Sequence, residues 1–279
     1  MHTSVNEQVV YDSSQAGFAA LDELRNVFNY RHLILQLTRR DITTRYRRSV
    51  LGVAWTMLNP LGMMLVLTIA FSSIFRFNTE YSYAAYVLTG YLAWNFFSQT
   101  SSAAMVNLVW GGAILRRIYI PRTSFALAAI GTGLVNICLS IVPLLLVMLI
   151  TRVPLTPAAL FTPISILLLA AFSLGVGLIL STVAVFFPDV SEMYQILLTA
   201  WMYLTPIIYP ETVLPEQYRF LITRINPMYY LLKVFRMPLY NGQLPSWSDL
   251  LPAILIAGTA LAVGWYMFSK KSDEFAYRI

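Results

Sequence analysis

Residues 123–151 read TSFALAAIGTGLVNICLSIVPLLLVMLIT, a run without Asp, Glu, Lys or Arg, closed off by Arg122 before it and Arg152 after it. A helix that crosses a bilayer needs about 20 predominantly apolar residues, and this run supplies more. Working outward, five further charge-free stretches flank it, 49–75 and 81–115 on one side and 153–188, 193–210 and 250–269 on the other. All 32 charged residues, 19 basic and 13 acidic, fall outside the six stretches. Only 11% of the chain is charged and 58% is hydrophobic, where a soluble domain carries about 25% charged residues. The pattern predicts an all-α integral membrane protein with six transmembrane helices.

Basic residues set the expected orientation, because they are retained on the cytoplasmic side during insertion. Arg25, Arg31, Arg39, Arg40, Arg45, Arg47 and Arg48 precede the first stretch. Arg116, Arg117 and Arg122 follow the second, and Lys270, Lys271 and Arg278 follow the sixth. The other side receives Arg76, Arg152, Arg219, Arg224, Lys233 and Arg236. Both termini are therefore expected in the cytoplasm. The first thirty residues have no basic start leading into an apolar core, so no cleaved leader is expected. The net charge of +6 reflects topology and anionic headgroups and gives no reason to invoke nucleic acid.

The expected organisation is a cytoplasmic arm (1–48), a six-span domain (49–269) and a cytoplasmic tail (270–279). In the arm, Leu35, Ile42, Tyr46, Val50 and Val53 recur at intervals of 7, 4, 4 and 3, an apolar stripe that predicts an amphipathic interfacial helix. Leu33 and Leu37 interrupt the stripe and suit packing against protein. Between the fifth and sixth spans, 211–249 holds two apolar patches, 213–225 and 228–240, too short to span. They predict short re-entrant or surface-lying helices.

No catalytic constellation is present. His2 and His32 both lie in the polar arm, which leaves no metal cluster and no imidazole-based acid–base pair within the membrane. Asp189 and Glu192 fit the start of the fifth helix, Asp189 as N-cap and Glu192 completing a box. The spans hold no acidic or basic residue to couple transport to an ion, and no phosphate loop of the form G-x-x-x-x-G-K-[ST] occurs. Energy for active transport must enter from another polypeptide. No cofactor is expected in this chain.

The spans are instead rich in aromatic rings. Phe71 and Phe75 close the first, Tyr86, Tyr91, Trp94, Phe96 and Phe97 punctuate the second, and Tyr194, Trp201, Tyr203 and Tyr209 the fifth. Rings at span ends are an ordinary interfacial belt, whereas Trp201 and Tyr203 sit mid-stretch. Rings that keep a polar handle suit a path for a sugar chain. Residues two apart on a helix point about 200° apart, so one of the pair is expected to line a path and the other to pack. Tyr194 and Trp201 share a face and are expected to form the channel side. Arg45, Arg47 and Arg48, just before the first span, either serve as an ordinary positive-inside anchor or fit the phosphates of a lipid headgroup, because a guanidinium fork grips two oxygens at once.

Several motifs carry a resemblance. Arg47-Arg48-Ser49-x-Leu51-Gly52-x-x-Trp55 with Asn59-Pro60 and Gly90-Tyr91-x-x-Trp94-x-Phe96-Phe97 come first. They are followed in order by Leu115-Arg116-Arg117-x-Tyr119-x-Pro121-Arg122 and by Asn226-Pro227-Met228 with Arg236 and Gly242. Over roughly residues 30–275 the chain resembles the polysaccharide-export permeases of the type 2 ABC exporter class. In Phe187-Pro188-Asp189, proline stands where that family often has a basic residue, which removes any contact a basic side chain makes there.

The resemblance implies a bacterial inner-membrane protein, multi-pass and homodimeric, bound by two copies of a separate ABC ATPase that hold the ATP. A lipid-linked glycan would pass between the two permeases. It implies ATPase coupling through Gly111, Leu115, Arg116, Arg117, Tyr119 and Pro121, and an outer gate at Asn226, Pro227, Met228, Tyr229 and Tyr230. An O-antigen is the first candidate cargo, with capsule or teichoic acid close behind. A lipid or drug exporter of the same architecture, or a membrane-embedded glycosyltransferase or scaffold, are the alternatives from other classes. Neither gives the arginine-rich arm and the mid-span rings a particular task.

Overall fold

The computed structural model describes residues 23, 25, 27–47, 49–75, 79–110 and 121–271. Among the described residues there is no strand. The helices are α1 (Arg31–Tyr46), α2 (Trp55–Phe75), α3 (Tyr83–Trp110), α4 (Thr123–Ile150), α5 (Thr162–Phe186), α6 (Val190–Leu204), α7 (Glu216–Phe220), α8 (Pro227–Arg236) and α9 (Trp247–Lys271). Four segments are long and apolar enough to cross a bilayer: Gly52–Phe71, Thr123–Ile150, Pro157–Phe186 and Trp247–Lys271. These correspond to the first, third, fourth and sixth charge-free stretches.

The two remaining stretches diverge from the simple expectation for physical reasons. The second forms α3, whose 28 residues give a rod of about 42 Å, but polar side chains such as Asn95, Gln99 and Asn107 dilute its hydropathy. The fifth forms α6, only 15 residues and about 22 Å, because the chain turns at Thr205-Pro206. Proline lacks the N–H the next helical turn requires. The expected cap at the start of α6 is also not made. Asp189 does occupy the N-cap position, but its backbone is already helical (φ −64°, ψ −16°) and its side chain caps nothing.

α3 is the hub, with α2, α4, α5, α6 and α8 all packed on it. Its buried positions include Ala85, Ala93 and Ala104 beside Leu88, Leu92, Phe97 and Met105, an alternation of small and large side chains that admits neighbours closely. α5 and α9 form another extensive pair. At their crossing a Cβ on Gly264 would stand 2.2 Å from the carbonyl oxygen of Gly175, so the two backbones meet with nothing between them. Small residues at such crossings are the usual basis of helix association in lipid.

The arm follows its expectation only in part. α1 stops at Tyr46, and a turn with Gly52 at φ +49° leads into α2. Val50 and Val53 therefore leave the helical stripe, and both are exposed, as is Leu35. The interrupting residues make the protein contact: Leu37 is buried with Phe125 and Ala128, and Leu33 packs beside them. Thr38 Oγ1, 2.9 Å from the carbonyl of Ile34 and 3.4 Å from that of Ala128, ties α1 to α4.

Between α6 and α9 the two apolar patches are helical, as expected. The first comprises a 3-10 turn (Glu211–Val213), α7 and a π-turn (Leu221–Ile225); the second comprises α8 and a π-turn (Met237–Asn241).

Candidate functional site

Two features bring the polar side chains together. The first is a cleft among α1, α2, α3 and α4. One cavity of about 260 Å³ is lined by Arg45, Asn95, Gln99, Asn107, Thr132, Asn136 and Ser140, among others. A second of about 350 Å³ shares Arg45, Asn95, Gln99, Asn136 and Ser140 with it and adds Trp55 and Asn59. A further pocket, lined by Thr44, Arg45, Arg47 and Ser49, adjoins it through Arg45.

The helical repeat explains why these residues converge. Asn95 and Gln99 are four apart on α3, and Asn136 and Ser140 four apart on α4, so each pair occupies one face. Gln99 Nε2 donates to Asn95 Oδ1 at 2.9 Å. Ser140 Oγ donates to the carbonyl of Thr56 at 3.0 Å, fixing α4 beside the first turn of α2. That contact sets the cleft beside the start of the first span and midway along α3 and α4. Polar side chains within apolar spans are costly and mark functional surfaces.

The second feature is a joint around Asn226, between the π-turn at 221–225 and α8. Asn226 Oδ1 accepts from the backbone N–H of Met228 at 3.0 Å, capping α8, and from Trp201 Nε1 at 2.7 Å. Its Nδ2 donates to the carbonyl of Leu204 at 3.2 Å and to Thr205 Oγ1 at 3.0 Å. The turn after α6 is clamped from its other side. Arg236 Nη1 and Nη2 donate to the carbonyls of Pro206 and Ile207 at 2.9 and 3.3 Å. The Tyr83 hydroxyl donates to the carbonyl of Ile208 at 2.8 Å and the Tyr86 hydroxyl to that of Tyr209 at 3.1 Å. Four successive carbonyls are thus held by side chains from α3 and α8.

Arg236 is only 8% exposed, and among the described residues no carboxylate reaches it. Its guanidinium instead lies 3.8 Å from the centre of the Tyr86 ring, an interaction of about 2 kcal/mol when desolvated. A Cβ on Gly90 would stand 2.3 Å from Arg236 Nη2, so the arginine fits because position 90 carries no side chain. Nearby, Tyr229 donates to Glu211 Oε2 at 2.8 Å. Burial first, and then that carboxylate, push the Tyr229 phenol above its ordinary range. Lys233 pairs with Asp249 at 2.8 Å.

The structure brings some expected site residues together and separates others. Arg45 and Arg47 are exposed beside the cleft, and Arg48 lies outside the described residues. Phe71 is half-buried against the core, and the side chain of Phe75 is outside the description. Of the coupling positions, Gly111, Leu115, Arg116, Arg117 and Tyr119 lie outside it, whereas Pro121 is buried just before α4. Asn226, Met228 and Tyr229 are buried, Pro227 and Tyr230 half-buried.

On α6, Tyr194 and Trp201 do share a face, as their spacing predicts. That face packs within the protomer. Tyr194 is 3% exposed with its hydroxyl 2.7 Å from Ser101 Oγ, and the Trp201 ring meets Phe97 and Trp94 edge-on at 5.2 and 6.0 Å. Tyr203 is 58% exposed on the open face. The packed and open members of the pair are the reverse of the expected assignment, since helical spacing groups residues without saying which face meets a neighbour.

The amides of the cleft were not anticipated from sequence, although two i, i+4 polar pairs inside apolar stretches were there to be read.

Residues 32–240 match the profile of the ABC-2 type transporter family. The chain is 30% identical to the O-antigen export system permease protein RfbA of Myxococcus xanthus, over 92% of this chain and 98% of that protein. It is 26% identical to the protein of that name in Klebsiella pneumoniae, over 88% and 93%. To the polysialic acid transport protein KpsM of Escherichia coli it is 24% identical, over 84% and 91%.

Proposed function

Because the chain belongs to the ABC-2 type transporter family, we propose that it is the transmembrane permease subunit of an exporter that moves a lipid-linked polysaccharide across the bacterial inner membrane. A separate ATPase drives it, and O-antigen is the first candidate cargo. The observation that carries this reading is the polar cleft edged by Arg45 and Arg47 where the first span begins. A lipid with a phosphorylated, hydrophilic head needs cations and hydrogen-bonding groups at that depth, whereas a purely apolar cargo needs neither. Full-length similarity to permeases named for O-antigen export supports the choice of cargo over capsule, for which the relatives are more distant.

In this reading six spans cross the membrane, counting α3 and α6, with both termini in the cytoplasm and α1 at the inner interface. Two copies of the chain pair with two ATPase subunits. The open face of α6, with Tyr203, Met193, Ile196 and Leu197 exposed, turns toward the second copy and the glycan path. The segment holding Gly111, Leu115, Arg116, Arg117, Tyr119 and Pro121 receives the ATPase stroke, and 211–240 closes the outer end. The purified chain alone is expected to have no ATPase activity. Replacing Arg116 and Arg117 with glutamate should dissociate or uncouple the ATPase partner, seen as its loss on co-purification or as ATP hydrolysis without transport. Unaltered coupling and export in that double variant would remove the coupling assignment.

The headgroup assignment is tested by changing the chemistry of the arginines while keeping their charge. Arg45→Lys, Arg47→Lys and Arg48→Lys together preserve the topology signal but lose the two-pronged grip on phosphate. Surface glycan, measured by immunoblot in cells whose only copy is the variant, should fall about tenfold or more, since a charge-assisted hydrogen bond contributes about 1.5–3 kcal/mol. Export at the wild-type level with normal protein abundance would make these arginines anchors only.

A further inference from the structure

The cleft contains more than a phosphate site requires. Asn59, Asn95, Gln99 and Asn136 converge on it from three different helices, and none of the four is buried, so their hydrogen-bonding groups are open to a ligand in the cleft. Only one link among these four is made, Gln99 to Asn95. That bond uses one of the Gln99 amide hydrogens and one lone pair of Asn95, leaving the Asn95 amine and the Gln99 carbonyl for another partner. Primary amides pair a donor with an acceptor about as far apart as the oxygens of neighbouring hydroxyls on a sugar ring. Trp55, half-exposed, lines the same cavity, and an indole face suits the C–H face of a pyranose. Arg45 stands at the edge common to all three cavities. The two amide-lined cavities, about 260 and 350 Å³, bracket the lower end of the roughly 300–1,000 Å³ typical of small-molecule sites.

Cation, amides and indole lining one cavity suit a ligand whose phosphate is joined directly to a polyhydroxylated ring. We propose that the cleft recognises the sugar attached to the diphosphate of the lipid carrier, with Asn95, Gln99 and Asn136 on its hydroxyls, Trp55 against its ring and Arg45 on the phosphate. The inference deepens the export reading and rests on it. It makes the permease selective for the first sugar of the chain rather than for lipid diphosphates in general. A carrier without a sugar would leave the amides facing water and would be bound by the arginines alone.

The test uses the permease–ATPase complex in lipid nanodiscs and two probes labelled on the lipid: a polyprenyl diphosphate carrying one N-acetylglucosamine or one glucose, and the same diphosphate without a sugar. Wild type should bind at least one sugar-bearing probe about tenfold more tightly than the bare one. Gln99→Leu and Asn136→Leu should abolish that preference while retaining affinity for the bare diphosphate, and Arg45→Gln should weaken both probes alike. Should a leucine variant fail to assemble, Gln99→Ser and Asn136→Ser keep the cleft polar and should still lose the preference. Equal binding of all probes by wild type, or a preference that survives in the cleft variants, overturns the inference and leaves the export reading standing. No binding of any probe by wild type overturns both.

Discussion

A chain carrying Gly175→Val should insert into the membrane and fail to yield a stable folded protein. At position 175 an added Cβ falls 2.3 Å from the backbone carbon of Ala260 and 2.4 Å from its oxygen. The reciprocal clash, from Gly264 onto the carbonyl of Gly175, is as severe. Backbone atoms cannot rotate away as a side-chain tip can, so α5 and α9 must separate along the most extensive contact either of them makes. Overpacking ordinarily costs about 1–3 kcal/mol, and here at least the upper end is expected because no rotamer relieves it. Gly175→Ala should be measurably less stable, Gly175→Val unrecoverable from detergent as a monodisperse peak. Gly258→Ala on the same helix α9 is the control, since a Cβ there meets nothing within 4 Å; it should match wild type. A monodisperse Gly175→Val protein with a wild-type melting midpoint would disprove the crossing.

Asn226→Leu should be the most damaging change at the joint. Leucine keeps the branching and heavy-atom count of asparagine, so the main loss is chemical: one N-cap bond, the Trp201 bond, and two bonds that hold the end of α6. Caps contribute about 1 kcal/mol and other hydrogen bonds about 0.5–1.5 kcal/mol each, which together suggests about 3 kcal/mol after allowing for non-additivity. Hydrogen exchange of the α8 amides should accelerate, with little change in α5 or α9. Trp201→Phe removes a single bond and keeps a ring against Phe97, so about 1 kcal/mol is expected. Tyr203→Ala, on the open face, should stay within about 0.5 kcal/mol of wild type and act, if at all, on export. Unchanged α8 exchange in Asn226→Leu would show that α8 is held by its apolar face alone.

Charge distribution made the helical class legible from the sequence, because a side chain's charge is the property lipid discriminates most strongly. The same criterion is blind to neutral amides. It passed 81–115 as one apolar stretch although Asn95 and Gln99 sit at its middle, and it therefore concealed the cleft while exposing Arg45 at its rim. Helix ends were missed even where proline or a glycine turn marks them: the fifth stretch ran past Thr205-Pro206 to 210, and the arm's stripe past Gly52 to Val53. The arm's stripe was misjudged because continuity past Tyr46 was assumed from spacing alone. Arg236 could be picked out as one of two basic residues, with Lys233, in the apolar patch 228–240. What seats it, the bare backbone at Gly90 and the Tyr86 ring, belongs to a helix distant in sequence, and no local pattern connects them.

The clamp on residues 206–209 also fixes how α6 can move. Its Leu204 end is bolted to α3 and α8 through four carbonyls and the Asn226 joint, while toward its Val190 end the described side-chain links to α3 are Tyr194 to Ser101 and the longer contact of Gln195 with Ser102 at 3.3 Å. More bonds hold the Leu204 end than the Val190 end, so α6 turns most readily about the former. For a helix of about 22 Å a 10° rotation leaves the anchored tip in place and sweeps the free tip through about 4 Å. The helix is in effect a lever with its fulcrum beside Arg236, and force applied near Asp189 acts at the full length of its arm.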